Sequence, residues 1–365
     1  KSIELKKKYS ERFHYPIAMR EALNVLKDLK KNPNIIRVEI AGSLRRKKET
    51  VRDIDIVASC KEHKRDDIMA FFTSFVEAEM VVNKGQTKST IILSSGIHCD
   101  LRLVNDEQFP FLLHHSTGSK EHNTTMRQRA KSMNLTMNEY GLFPDERDQS
   151  LDCKNESDIF TKLNLIFIEP ELRENFGEIE QAEKNALPDL IKKEDIKGLF
   201  HVHTSYSDGA FSIKEMADHC RKMGFKYLGI SDHSKSAFYA NGLNEDRIKQ
   251  QHEEIDQLNA TYDDFTIFKG IESDILQDGQ LDYSDDVLAA FDFVIASIHS
   301  GFQMSESAMT ARICKALANP YVTMLGHPTG RLLLGREAYP LNTVSYTHLR
   351  AHETVLDLVC RLLLE

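Results

Sequence analysis

The chain of 365 residues contains six cysteines, Cys60, Cys99, Cys153, Cys220, Cys314 and Cys360, and no Cys-x-x-Cys pair. Such scattered thiols argue against a disulfide framework and fit a reducing, cytoplasmic setting. No apolar stretch approaches the roughly 20 residues of a membrane span, and no secretory apolar segment follows the basic start. A membrane partner is therefore not expected. Low-complexity segments are absent, as are internal repeats beyond a β-α alternation. The first residue is Lys rather than Met, so a fragment or processed start is expected. Hydrophobic content of 41% and charged content of 28% are ordinary for a globular protein with two or three domains.

The formal net charge of −9 argues at first against a polyanionic partner. It is unevenly distributed. Residues 1–100 carry 20 Lys and Arg against 14 Asp and Glu, whereas residues 201–365 carry 14 against 23. The positive charge gathers in Lys6-Lys7-Lys8, Lys30-Lys31 and Arg45-Arg46-Lys47-Lys48. A basic front half permits phosphate binding without requiring it, because charge runs are usually solvated faces.

The back half holds five apolar runs that each end on a metal-type ligand. His201 and His203 open the series, with Asp208 close behind; later runs end on His233, Glu272, His299 and His327. Short β-branched and aromatic runs separated by helical stretches read as parallel strands. In barrels of such units, reactive groups collect at the C-terminal ends of the strands. Any one of these histidines alone reads better as a core or capping residue. Seven ligands repeated at strand ends point instead to two or three Mn²⁺, Zn²⁺ or Fe ions.

The front half carries Ala41-Gly42-Ser43-Leu44-Arg45-Arg46, a basic bridge, and Asp53-Ile54-Asp55. Strand alternation places Asp53 and Asp55 on one face, with Ile54 turned to the core. Two such carboxylates repel unless divalent cations lie between them, which is the usual anchor of a two-metal phosphoryl-transfer site with Mg²⁺ or Mn²⁺. Asp100, in a later strand, is placed to be the third. Gly42 lets the backbone approach a triphosphate, Ser43 can donate to it, and Arg46 can neutralise it. An isolated Asp-x-Asp is weak; the combination is stronger.

Ala41 to Ala58 resembles the palm motif of family X DNA polymerases. Thr117-Gly118-Ser119-Lys120-Glu121-His122-Asn123, with Arg127 one turn on, resembles the nucleotide-binding segment of their thumb. His201 to Gly209 and the strand ends after it resemble the PHP (polymerase and histidinol phosphatase) domain. The order matches the bacterial and archaeal members, and the resemblance runs over residues 10–342. It implies an α/β multidomain fold: palm 1–104 as a mixed sheet with helices, thumb 105–169, linker 170–195, and an incomplete PHP-type (β/α)7 barrel 196–342. Residues 343–365 read as a helical tail foreign to the family.

For the site, the resemblance implies that Asp53, Asp55 and Asp100 hold the palm metals, with Asp100 beside the primer 3′-OH. Gly42, Ser43 and Arg46 would hold phosphates. Gly118 and Ser119 would face the sugar, Asn123 the base edge, and Arg127 the template strand. The implied partners are gapped or primer-template DNA and dNTPs, and a monomer is expected. Two departures stand out. No helix-hairpin-helix glycine motif occurs, and the family's late Asp-x-His pair is missing, so a chain truncated at both ends, an open sheet edge and a partial metal set are expected. Three functions compete: a DNA polymerase with an exonuclease module, a phosphatase similar to histidinol phosphatase, and a non-catalytic DNA-binding remnant.

Overall fold

The computed structural model describes residues 12–75, 78–144 and 149–345. They divide into two compact units, with the chain passing from one to the other at Asp189 and Leu190.

The first unit is built on a five-stranded mixed sheet of β1 (Ile35–Ile40), β2 (Asp53–Cys60), β3 (Ala78–Lys84), β4 (Lys88–Leu93) and β5 (His98–Val104), in the order β1-β2-β5-β4-β3. β2 and β5 run parallel, and the other pairs are antiparallel. Ile54, Ile56 and Ala58 turn to one face and join Ala18, Ala22, Val25 and Leu29 of the helix Tyr15–Leu29 in a buried cluster. Pro16 is the second residue of that helix, a first-turn position where a missing N–H costs nothing. The other face of β2 is covered only in part. Val57 is buried with Leu112 and Leu113 of the helix Phe109–Thr117, while Asp53, four residues earlier on that face, is exposed. The site is thus the uncovered end of a sheet face.

The helix Arg65–Thr73 leads towards the edge strand β3. One stretch differs from the sequence reading. The segment read as linker, 170–195, is packed in its front part, whereas 188–195 is almost wholly exposed. Ile179 and Ala182 are buried with Phe160 and Ile168, and Leu187 packs against the same cluster.

Arg173 has no exposed surface, and its guanidinium meets Glu156 at 2.5 Å and the Ile168 carbonyl at 2.9 Å. It also lies over the Phe160 and Phe167 rings at 5.0 and 5.2 Å. Arg45, from the palm motif, reaches the other Glu156 oxygen at 2.5 Å. Burial alone would raise the Glu156 carboxyl; Arg173 and Arg45 override that and hold it below its ordinary value. Glu156→Ala should therefore leave a buried guanidinium unpaired, at a cost of about 3–5 kcal/mol. A urea midpoint for this variant equal to wild type would refute it.

The second unit is a parallel sheet in chain order, β6 (Gly198–Val202), β7 (Tyr227–Ile230), β8 (Thr266–Asp274), β9 (Phe293–Ser297) and β10 (Met324–Leu325). Helices Ile213–Lys222, Glu245–Asn259 and Glu306–Leu317 lie between successive strands. Among the described residues β6 and β10 do not pair, so the expected incomplete barrel is a five-stranded open sheet. The tail read as a helix over 343–365 lies outside the described residues from 346 onward. No described helix is long and apolar enough to cross a membrane. Cys60, Cys99, Cys153, Cys220 and Cys314 are free thiols.

Candidate metal centres

In the first unit the register decides the geometry. Asp55 lies directly opposite Asp100 across the parallel β2–β5 pair, and Asp53 lies opposite His98. Because side chains alternate, Asp53, Asp55 and Asp100 point to the same side of the sheet. Burial raises the Asp55 carboxyl, repulsion from Asp53 and Asp100 raises it further, and the result is about 7. Lys88 and Arg102 pull it down only in part, and the remaining penalty of buried, crowded carboxylates is what divalent cations relieve.

Asp100 is already oriented from β4. It accepts from Thr90 Oγ1 at 2.6 Å and pairs with Lys88 Nζ at 2.6 Å. Gly42, at φ +65°, lies so close above Asp55 that an added Cβ would come within 2.1 Å of Oδ2. Here glycine is needed both for the left-handed backbone and for that approach.

The raised Asp55 makes a stability prediction for metal-free protein. An acid raised on folding stabilises the fold at pH values below its unfolded pKa, near 4, and that contribution is lost as pH climbs through about 7. Asp55→Asn in chelator should raise stability at pH 8 by on the order of 3 kcal/mol and change little at pH 4. Denaturant titrations at the two pH values test it; an equal effect at both would count against it.

Of the remaining palm and thumb candidates, Arg46, Ser119 and Asn123 are engaged in bonds within the first unit. Arg46 donates to Glu174 at 2.7 Å and to the Thr117 carbonyl at 2.7 Å. Ser119 caps the helix Lys120–Ser132 by accepting from the His122 N–H at 3.0 Å. Asn123 donates to the carbonyls of His115 and Gly118, while its buried Oδ1 lacks a partner. Gly118 presses on that Asn123, leaving no room for a Cβ. Ser43 is half-buried beside Gly42, and Arg127 is exposed on the helix, near the small cleft lined by His114, His115 and Asn123.

The second unit brings all seven expected ligands together. Glu272 is 1% exposed at the end of β8 and carries the centre. Its Oε1 lies 2.9, 3.2 and 2.8 Å from Nε2 of His201, His299 and His327. Its Oε2 lies 3.0 Å from His233 Nδ1 and 3.5 Å from His203 Nε2. Asp208 reaches His203 at 3.3 Å and His233 at 3.7 Å. Burial would raise Glu272, yet the surrounding imidazoles hold it far below the carboxylate range.

Three overlapping ligand triads result: His201-His203-Glu272, His203-Asp208-His233 and His233-Glu272-His299. Imidazole nitrogens around a shared carboxylate form a donor set that suits Zn²⁺, Mn²⁺ or Fe. The backbone is bent to achieve this. β6 carries a register shift between Leu199 and Val202, within which His201 adopts φ 59°.

A family model described as the DNA polymerase beta thumb matches residues 112–174, and one described as the PHP domain matches residues 200–337. The chain is also 42% identical over 354 residues to the DNA polymerase/3′-5′ exonuclease PolX of Bacillus subtilis (strain 168), covering 96% of this chain and 61% of that protein. The chain thus carries a segment like the thumb of DNA polymerase beta, followed by a PHP domain. Narrower matches reach probable phosphatases of Caldanaerobacter subterraneus subsp. tengcongensis and of Thermoanaerobacter sp. (strain X514). They are 31% identical over 153 residues and 32% over 148; each match takes in 39% of this chain, with 53% and 55% of the relative. The chain thus spans about three fifths of that bacterial polymerase and about half of the phosphatases.

Two residues that the sequence reading passed over organise the PHP centre. Asp274, two places beyond Glu272 on the same face of β8, accepts from His299 Nδ1 at 2.5 Å. A carboxylate behind a ligating imidazole fixes which ring nitrogen faces the metal. Burial would lower His299, but Asp274 and Glu272 dominate and push it up to about 9. Asp232, fully buried, gathers Thr204, Ser207 and Gln251 through bonds of 2.5–3.2 Å and so holds the loop that carries Asp208. The Glu-x-Asp alternation was a usable signal for the first. Nothing in the sequence marked Asp232 beyond its place before His233.

Proposed function

We propose that this chain adds dNTPs to the 3′ end of a primer on gapped or primer-template DNA, with the DNA itself as template, and that its PHP unit hydrolyses phosphoesters at a DNA 3′ end. The observation that carries the polymerase reading is the pairing of Asp55 with Asp100, with Asp53 on the same sheet face. Those three carboxylates are the groups that would hold Mg²⁺ or Mn²⁺, which when bound neutralises charge on a transferring phosphoryl group. Asp100, braced by Thr90 and Lys88, is the carboxylate beside the primer hydroxyl. Gly42 and Ser43 cradle the β- and γ-phosphates, and Arg46 joins them on release from Glu174. Gly118, Ser119 and Asn123 position the incoming nucleotide, and Arg127 meets the template strand. In the PHP unit His201, His203, Asp208, His233, Glu272, His299 and His327 hold Mn²⁺, Zn²⁺ or Fe. The protein acts as a monomer in a bacterial cytoplasm.

This reading expects a 5′-labelled primer opposite a short gap to lengthen with dNTPs and Mg²⁺ or Mn²⁺. Salt-sensitive DNA binding without lengthening under either ion would leave only a DNA-binding remnant. A second reading, hydrolysis of small phosphate monoesters, draws support from the probable phosphatases that match about two fifths of the chain. Monoester turnover that survives Asp53→Ala, with no action on DNA ends, would favour it.

A further inference from the structure

Beside the histidine centre stands one strongly exposed aromatic ring, Tyr239, and its neighbour in the chain, Phe238, is exposed as well. Phe238 and Tyr239 open the short turn Phe238–Ala240 and expose 88% and 72% of their surface. A single exposed aromatic is common, but two adjacent ones at a ligand cluster are not accounted for by the fold. The Tyr239 ring lies 6.0 Å from that of His233 and 6.5 Å from that of His299, both metal-type ligands.

The turn is held firmly. Ala237 N–H bonds the Ser234 carbonyl at 3.0 Å, Gly242 N–H the Ala237 carbonyl at 3.1 Å, and Leu243 N–H the His233 carbonyl at 2.8 Å. Arg247 clamps the far side through the Asn241 carbonyl at 2.8 Å. Gly242 sits where a Cβ would fall 1.9 Å from the Ser234 oxygen, so the loop has no slack there. The rings are therefore presented in solvent by a rigid support, which lowers the ordering cost of binding a flat partner.

We propose that Phe238 and Tyr239 form a stacking platform for the nucleobase at the 3′ end of a single DNA strand whose phosphate enters the histidine centre. The inference rests on the reading of that centre as a phosphoesterase acting on DNA ends. It goes further by assigning the recognised group, an unpaired base, and the residues that recognise it. Aromatic faces accept any base, so the contact selects for an unstacked terminal nucleotide without reading sequence. A paired end keeps its base in the duplex stack and cannot use the platform.

The test uses the full chain with Mn²⁺ and two 5′-labelled single strands, one with an ordinary 3′-terminal nucleotide and one whose last residue lacks a base. Phe238→Ala/Tyr239→Ala should raise KM for the ordinary strand roughly tenfold with kcat held, as loss of one stacked base implies. The base-free strand should show equal KM in both proteins, and Tyr239→Phe should behave as wild type. Thermal midpoints should agree, since neither ring is buried. Equal KM for the ordinary strand in wild type and double variant overturns the platform and leaves the phosphoesterase reading standing. Cleavage of glycerol phosphate but of neither strand by wild type overturns both. Absence of all hydrolysis with Mn²⁺, Zn²⁺ and Fe removes the reading of the centre and the platform with it.

Discussion

Asp53→Ala/Asp55→Ala should lower primer extension on gapped DNA by about three orders of magnitude or more, with Mg²⁺ or Mn²⁺ alike. The size follows from what the pair does. Asp55 is the half-buried member, opposite Asp100, and Asp53 is its exposed neighbour on the same face. Removing both leaves Asp100 alone to hold two cations, and that carboxylate is already shared with Lys88 and Thr90. Losing the electrostatic stabilisation of a transferring phosphoryl group costs at least about 4 kcal/mol in the barrier, which is the stated rate loss. The fold should persist, because the change removes a carboxyl that burial, and after it repulsion from Asp53 and Asp100, push up to about 7. Trimming of DNA 3′ ends by the PHP unit should survive in this variant. Extension within tenfold of wild type would mean that the three acids are not the metal anchor.

How much of this was legible in the sequence depended on which physical rule applied locally. The acidic face was readable because a strand has period two, so Asp53 and Asp55 had to share a side wherever Ile54 was buried. The histidine centre was readable because its ligands end apolar runs, and parallel strands deliver their ends to one edge. The helix Phe109–Thr117 was not read at all. Phe109, Phe111, Leu112, Leu113 and His114 are all buried, so it shows no polar stripe to reveal a 3.6-residue period. The stretch from 170 looked like a linker because of its acids. Yet Glu178 in that stretch is bonded to His122 at 2.6 Å, so it is a buried partner rather than a solvated charge. Pairing partners more than fifty residues away leave no local mark in a sequence. The same limit applies to Arg46, whose partner Glu174 is far away in the chain, whereas the Ser119 cap on the His122 N–H is a local role that the motif did not reveal.

Glu272→Ala is the second large effect, and its consequences should be confined to the other activity. Five imidazoles present a ring nitrogen to this one carboxylate within 3.5 Å, and two of the three ligand triads without Glu272 lose their shared member. Only His203-Asp208-His233 would stay intact, with Asp208 half exposed. The variant should therefore retain at most one ion per chain after dialysis against Mn²⁺ or Zn²⁺, measured by elemental analysis. Hydrolysis of a DNA 3′ end should drop by about three orders of magnitude, on the scale of losing a group that places and polarises the reacting phosphate. Folding is a separate matter, because Glu272 is 1% exposed and its removal leaves a polar cavity among imidazoles. Glu272→Gln keeps the volume and one oxygen acceptor while removing the charge, so it should fold as wild type and still lose metal. Primer extension should be unchanged in both variants, since Asp53, Asp55 and Asp100 belong to the other compact unit. Full metal content and full hydrolysis in Glu272→Gln would show that the histidines hold the ions without their central carboxylate, and the assignment of this centre would fall.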